Sequence, residues 1–132
     1  MKHAYSRNYA PSMPTLEIRL SVPGSAPITK VLKAIIDTGA DGTIAPSKYL
    51  TQFQSLETDQ IWLGSYWGEQ RLVLAYALDI HIGSLVLPAM RVASDPKSKE
   101  LILGRDVLNK LRLLLDGPAE TTELLDSKPK RI

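Results

Sequence analysis

The chain of 132 residues contains no cysteine. Disulfides, thiolate nucleophiles and cysteine-ligated metals are therefore excluded, and a reducing, cytoplasmic setting is expected. No apolar run approaches the ~18 residues that a membrane-spanning helix requires, so no membrane association is expected. The first residues carry Lys2, His3 and Arg7 without an apolar stretch behind them, which does not read as a signal peptide. Charge is nearly balanced, with 16 Lys+Arg against 14 Asp+Glu and a net charge of +2. That is too weak to argue for nucleic acid or an anionic membrane surface. No His/Asp/Glu spacing fits a metal site and no glycine-rich loop fits a phosphate, so no metal and no cofactor are expected. No internal repeat is present.

What the chain does have is an ordinary globular composition, 44% hydrophobic and 23% charged, sized for one domain with a modest core. Thr15 to Val22 alternates apolar and polar residues with period two, the mark of a half-buried strand. Pro23 to Pro27 turns the chain, and Thr29 to Ile36 reads as the returning strand of a hairpin. Ala45 to Leu50 fits one helical turn with Pro46 near its start. From Gln60 to Leu87 the pattern is again strand-like, with hairpin tips at Gly64–Gly68 and Gly83–Ser84. Ala89 to Ala93 reads as a short strand, 95–99 as a loop, Arg105 to Lys110 as a short helix, and Leu111 to Leu115 and Thr121 to Leu125 as closing strands. The expectation is a mostly-β domain with one or two short helices spanning 15–126. A flexible N-terminal arm, 1–14, precedes it and a basic tail, 127–132, follows.

The chemistry concentrates in Ala34-Ile35-Ile36-Asp37-Thr38-Gly39-Ala40-Asp41-Gly42-Thr43. A short apolar strand delivers a carboxylate into a Thr-Gly turn at the edge of a hydrophobic core. Such a carboxylate suits acid–base hydrolysis in which two carboxylates share one proton and one water. The chain has no second Asp-Thr/Ser-Gly, so a partner carboxylate must come from another copy. Further on stands Leu101-Ile102-Leu103-Gly104-Arg105-Asp106-Val107-Leu108.

Together the two segments resemble the retropepsin-like aspartic peptidases, over roughly Thr15 to Leu125. The resemblance implies a closed or partly open β-barrel of the acid-protease type. It implies a homodimer that hydrolyses extended polypeptides without a covalent intermediate, through a water held by two Asp37 carboxylates. Thr38 would cross the dimer axis to lock the two loops together. Gly39 and Ala40 would line the substrate backbone. Gly104 would support the catalytic loop from behind, and Asp41 and Arg105 would form a bracing ion pair. Trp62, Gly64, Ser65, Tyr66, Trp67 and Gly68 fall where the family carries a flap over bound peptide, with aromatics where a glycine-dominated tip is usual.

Blander readings stand beside these. Asp-Thr-Gly alone is a common strand-ending turn, and Asp41-Gly42 a common hairpin turn. Trp62, Tyr66 and Trp67 are either packing on a hairpin or an apolar lid, and both stay open. His81, on the polar side of an alternating strand, reads as a surface residue. Two rival functions remain: a non-catalytic retropepsin-like dimerisation or peptide-binding module, and a β-rich interaction domain of another kind.

Overall fold

A computed structural model describes residues 1–64 and 68–126. Its strands are β1 (Lys2–Ala4), β2 (Thr15–Ser21), β3 (Leu32–Ile36), β4 (Thr43–Pro46), β5 (Glu57–Gly64), β6 (Gln70–Ile82), β7 (Leu85–Asp95), β8 (Leu101–Leu103), β9 (Leu113–Asp116) and β10 (Thr121–Leu124). Two 3-10 turns, Ser47–Tyr49 and Thr51–Leu56, follow β4, and one short helix, α1 (Arg105–Leu108), follows β8.

β2 pairs with β3, β3 with β8, β8 with β4, β4 with β7, β7 with β6, and β6 returns to β2. That circuit is a closed six-stranded barrel, which leaves its members no free edge. The fold is mostly β, as the sequence predicts. β5 stands outside the ring, paired only to the first half of β6 as a projecting hairpin. A separate sheet has the order β1-β10-β9.

The alternation in β2 decides which face enters the barrel. Leu16, Ile18 and Leu20 are buried, and Glu17 and Arg19 point out. They meet Leu78, Ile80 and Ile82 of β6, Val92 of β7 and Leu103 of β8 in one core, closed at one end by Leu50 and Phe53. Each such side chain contributes about 1.5–3 kcal/mol by leaving water.

Several expectations are corrected. Residues 1–14, expected as a loose arm, form β1 and pair with the far end of the chain, Lys2 opposite Glu123 and Ala4 opposite Thr121. Ser6 and Met13 then bridge the intervening loop. β4, hidden in the sequence between a turn and a proline, is short and lies between β7 and β8. Ala89 to Ala93 is part of one strand from Leu85 to Asp95. That strand bends at Ala89, whose φ is 48°. Buried Asp79 holds the bend, accepting the Ala89 and Gly24 backbone N–H groups, each at 2.8 Å. His81, expected at the surface, is half-buried and bonded to the Ser21 hydroxyl at 2.8 Å. The tail 127–132 lies outside the described residues. No helix among the described residues is long and apolar enough to cross a membrane.

β1 carries a buried titratable group. His3 Nδ1 accepts the Glu17 backbone N–H at 3.0 Å, so the neutral ring carries its proton on Nε2. Burial lowers its pKa; Glu17 opposes the shift and the N-terminal amine reinforces it. Arg19 and His81 line the same small cavity. Because the unfolded chain binds this proton more readily, the contribution is complete above about pH 6.5 and is lost as pH falls below it. The unfolding midpoint should therefore drop between pH 7.5 and 5.5. His3→Asn keeps an acceptor for Glu17 without titrating, and its melting curve should be flatter across that window. Equal pH slopes for the two proteins would remove His3 from the account.

Candidate active site

β3 runs through the barrel wall beside β8, with Ile35 opposite Ile102 and Ile36 opposite Leu103. The pairing continues one bond past the strand end, because the Asp37 N–H donates to the Leu103 carbonyl at 3.1 Å. The backbone of the acid is thus fixed by the second motif. Its side chain is fixed by its own turn. The Gly39 N–H donates to Asp37 Oδ1 at 2.9 Å, and the Ala40 N–H returns to the Asp37 carbonyl at 3.2 Å. Among the described residues Oδ2 has no partner, so one carboxylate oxygen is held and the other is open.

The two motifs interlock through backbone. The Arg105 N–H donates to the Ala40 carbonyl at 2.8 Å, and the Gly104 N–H to Thr43 Oγ1 at 3.2 Å. Thr43 Oγ1 donates in turn to Asp106 Oδ1 at 2.9 Å. A Cβ on Gly104 would lie 2.3 Å from the Gly42 carbonyl oxygen and 2.8 Å from its nitrogen. Only glycine lets the loops approach this closely. Gly42, by contrast, faces open space. Gly104→Ala should therefore cost 1–3 kcal/mol or more, whereas Gly42→Ala should leave the denaturation midpoint nearly unchanged. Equal midpoints for the two variants would contradict this packing.

Arg105 reaches across the loop. Its Nη1 donates to the Thr38 carbonyl at 2.8 Å, and its Nη2 meets Asp41 Oδ1. The Asp41 side chain is 93% exposed, so water screens this pair and its net worth is about 0–1 kcal/mol. Its value is geometric, since one planar fork grips a carbonyl and a carboxylate at once. Lys cannot reproduce that, and Arg105→Lys should lower stability by about 0.5–1.5 kcal/mol. Asp41→Asn should cost less, because the bond to Thr38 survives. A reversed order, read by chemical denaturation, would show that charge dominates.

Thr38 is exposed at the apex of the turn. Among the described residues only its carbonyl is engaged within the chain, and its hydroxyl faces outward unpaired.

A cleft of about 500 Å³ opens beside the loop. Gly39, Ala40, Asp41 and Gly42 form its floor, and Ile61, Trp62, Leu63 and Gly64 of β5 form one wall. Trp62 is 65% exposed, and its cross-strand neighbour Leu72 is 49% exposed. Gly68, with φ of 84°, begins the return of the hairpin. Ser65, Tyr66 and Trp67 lie outside the described residues.

The sequence does not reveal what moors this hairpin. Arg71, opposite Leu63, makes two bonds to Asp95 at 2.7 and 2.8 Å. The Asp95 side chain is only 9% exposed. Arg71 holds the Asp95 carboxyl below its ordinary range, and the Lys97 N–H assists, against the opposing effect of burial. Arg91 of β7 pairs with Asp59 of β5 lower on the same face. None of these four residues lies in either motif, so only the β5-β6-β7 register brings them together.

The family description "Retroviral aspartyl protease" matches residues 10–116. The chain belongs to that family. Comparison with curated proteins finds no match.

Proposed function

We propose that this protein is a homodimeric aspartic endopeptidase acting on extended polypeptide. The observation that carries the reading is the state of Asp37. It stands at a strand end with its backbone locked to Leu103, one oxygen held by Gly39 and the other without a partner among the described residues, and the cleft is lined by the loop that follows it, from Gly39 on. The other two carboxylates of the two motif segments are committed elsewhere, Asp41 to Arg105 and Asp106 to Thr43. A second Asp37 from another copy is therefore the natural partner.

Two such carboxylates ~3 Å apart cannot both stay ionised, so the pair shares a proton. One accepts a proton from the bridging water as it attacks the scissile carbonyl. The other donates to the carbonyl oxygen, giving a tetrahedral diol. Collapse of that diol with proton transfer to the leaving amine restores the pair. The outward Thr38 hydroxyl bonds across the two-fold axis, and the Gly39 backbone lies against substrate. The β5–β6 hairpin closes from above, with Trp62 as an apolar wall.

A peptide-binding module of the same fold would share these contacts and differ only in turnover. Asp37→Asn keeps shape and removes acid–base function. Cleavage of a denatured protein should fall by at least about 10³-fold while the melting curve is kept. Wild-type specific activity should also rise with protein concentration through the dimerisation range. Undiminished cleavage by a verified Asp37→Asn protein would falsify the assignment. No cleavage by a demonstrated wild-type dimer would leave the binding module.

A further inference from the structure

Lys30, Lys33 and Lys99 line one cavity of about 310 Å³. They come from the approach to β3, from β3 itself and from the loop before β8. None of them makes an ion pair among the described residues. Lys33 stays unpaired although Glu17 stands opposite it in the β2–β3 ladder. Glu100 is the one acid among the described lining residues, and the Tyr9 hydroxyl already bonds to it. Three like charges thus converge on a cavity whose single acid is engaged, and such a surface is complementary to a negative group.

Solitary surface lysines are ordinarily just solvated. These differ in where they stand. Leu32, Ala34 and Ile36 of β3 turn into the core, so Lys33 and Ile35 occupy the opposite face of the strand. Side chains on one face recur every second residue, which puts Asp37 next on the face of Lys33 and Ile35. Pairing with β8 holds this alternation as far as Asp37, through its N–H to Leu103. Ile35 also lines the cavity. The basic cavity and the carboxylate therefore share one face of one strand. At ~3.3 Å per residue, Ile35 lies about 7 Å and Lys33 about 13 Å back from Asp37.

We propose that this cavity receives acidic side chains of the polypeptide substrate, two to four residues from the bond that is cut. The inference rests on the peptidase reading above and adds a substrate preference to it. An extended peptide advances by about the same length per residue as β3, so those distances convert directly into positions along the substrate. A two-fold axis supplies a second, identical cavity, so acids on either side of the cut are read alike. Lysine suits a loose reading of this kind. Its ammonium is a point charge on a flexible stem, and it attracts Asp or Glu at neighbouring positions without the fixed geometry of an arginine fork.

The test is a synthetic peptide library with randomised positions, cut by the wild-type protein and read by mass spectrometry. Asp and Glu should be enriched over Asn and Gln two to four residues from cut bonds, by roughly 3- to 10-fold, as expected for a few exposed charge pairs acting together. The enrichment should shrink as salt is raised. Replacing all three lysines, Lys30→Gln with Lys33→Gln and Lys99→Gln, should abolish it. The three Lys→Arg changes should preserve it, and Lys33→Glu with Lys99→Glu should favour Lys and Arg in the substrate instead. Melting curves and sedimentation show that each variant is folded and dimeric. Cutting without acidic enrichment overturns the inference and leaves the peptidase reading standing. So does enrichment that persists in the folded triple Gln variant. Where the folded wild type cuts nothing, the peptides it retains in equilibrium dialysis are read in the same way. Lysine-dependent acidic enrichment among those removes the peptidase reading and keeps the cavity, and its absence overturns both.

Discussion

The loop from Asp37 to Gly42 depends on one place where backbone meets backbone. Gly104 lies so close to Gly42 that no side chain fits between them. This contact brings α1 against the loop that follows β3, and the other fastenings depend on it. It puts Arg105 within reach of Thr38 and Asp41, sets Thr43 between the Gly104 N–H and Asp106, and aligns the Leu103 carbonyl with the Asp37 N–H. Most of these bonds are individually weak or exposed. Together they remove freedom from the one side chain that must be aimed, which is how a site gains preorganisation without deep burial.

This part of the molecule is legible in the sequence because its determinants are local. Ile-Ile-Asp-Thr-Gly states a strand, an acid and a turn within five residues, and Leu-Ile-Leu-Gly-Arg states the supporting strand and its glycine. The barrel class follows from alternating strands and their turn residues. The missed features are those set by long-range pairing. β1 is a three-residue strand with no periodic signal, and it exists only because β10 lies beside it. β4 holds four residues between one parallel neighbour, β7, and one antiparallel neighbour, β8. The bend at Ala89 depends on Asp79 and Gly24, contributed by two other segments. Arg71 and Asp95 look like ordinary surface charges until the register sets them face to face.

The ion pairs divide by exposure, and so by use. Arg105–Asp41, Arg91–Asp59, Arg7–Glu120 and Lys2–Glu123 are open to water and add little stability. Arg71–Asp95 is shielded, doubly bonded and joined by the Lys97 N–H. Arg71 stands opposite Leu63, one pair short of the last described pair of the hairpin, so the bond ties the outer part of the hairpin to the end of β7.

Acidity acts on the fold through two groups far apart in the chain. Neutral His3 favours pH above about 6.5. His3 lies in β1, in register with Thr122 of β10, and β10 pairs in turn with β9. Protonating His3 therefore weakens the β1-β10-β9 sheet. Asp95 acts the same way at lower pH, because its folded pKa is depressed and its stabilising bond to Arg71 is lost as pH falls through that value. Acid therefore loosens the fold at two separate places, first the β1-β10-β9 sheet and then the tie between the β5–β6 hairpin and β7, and the two have separate structural causes.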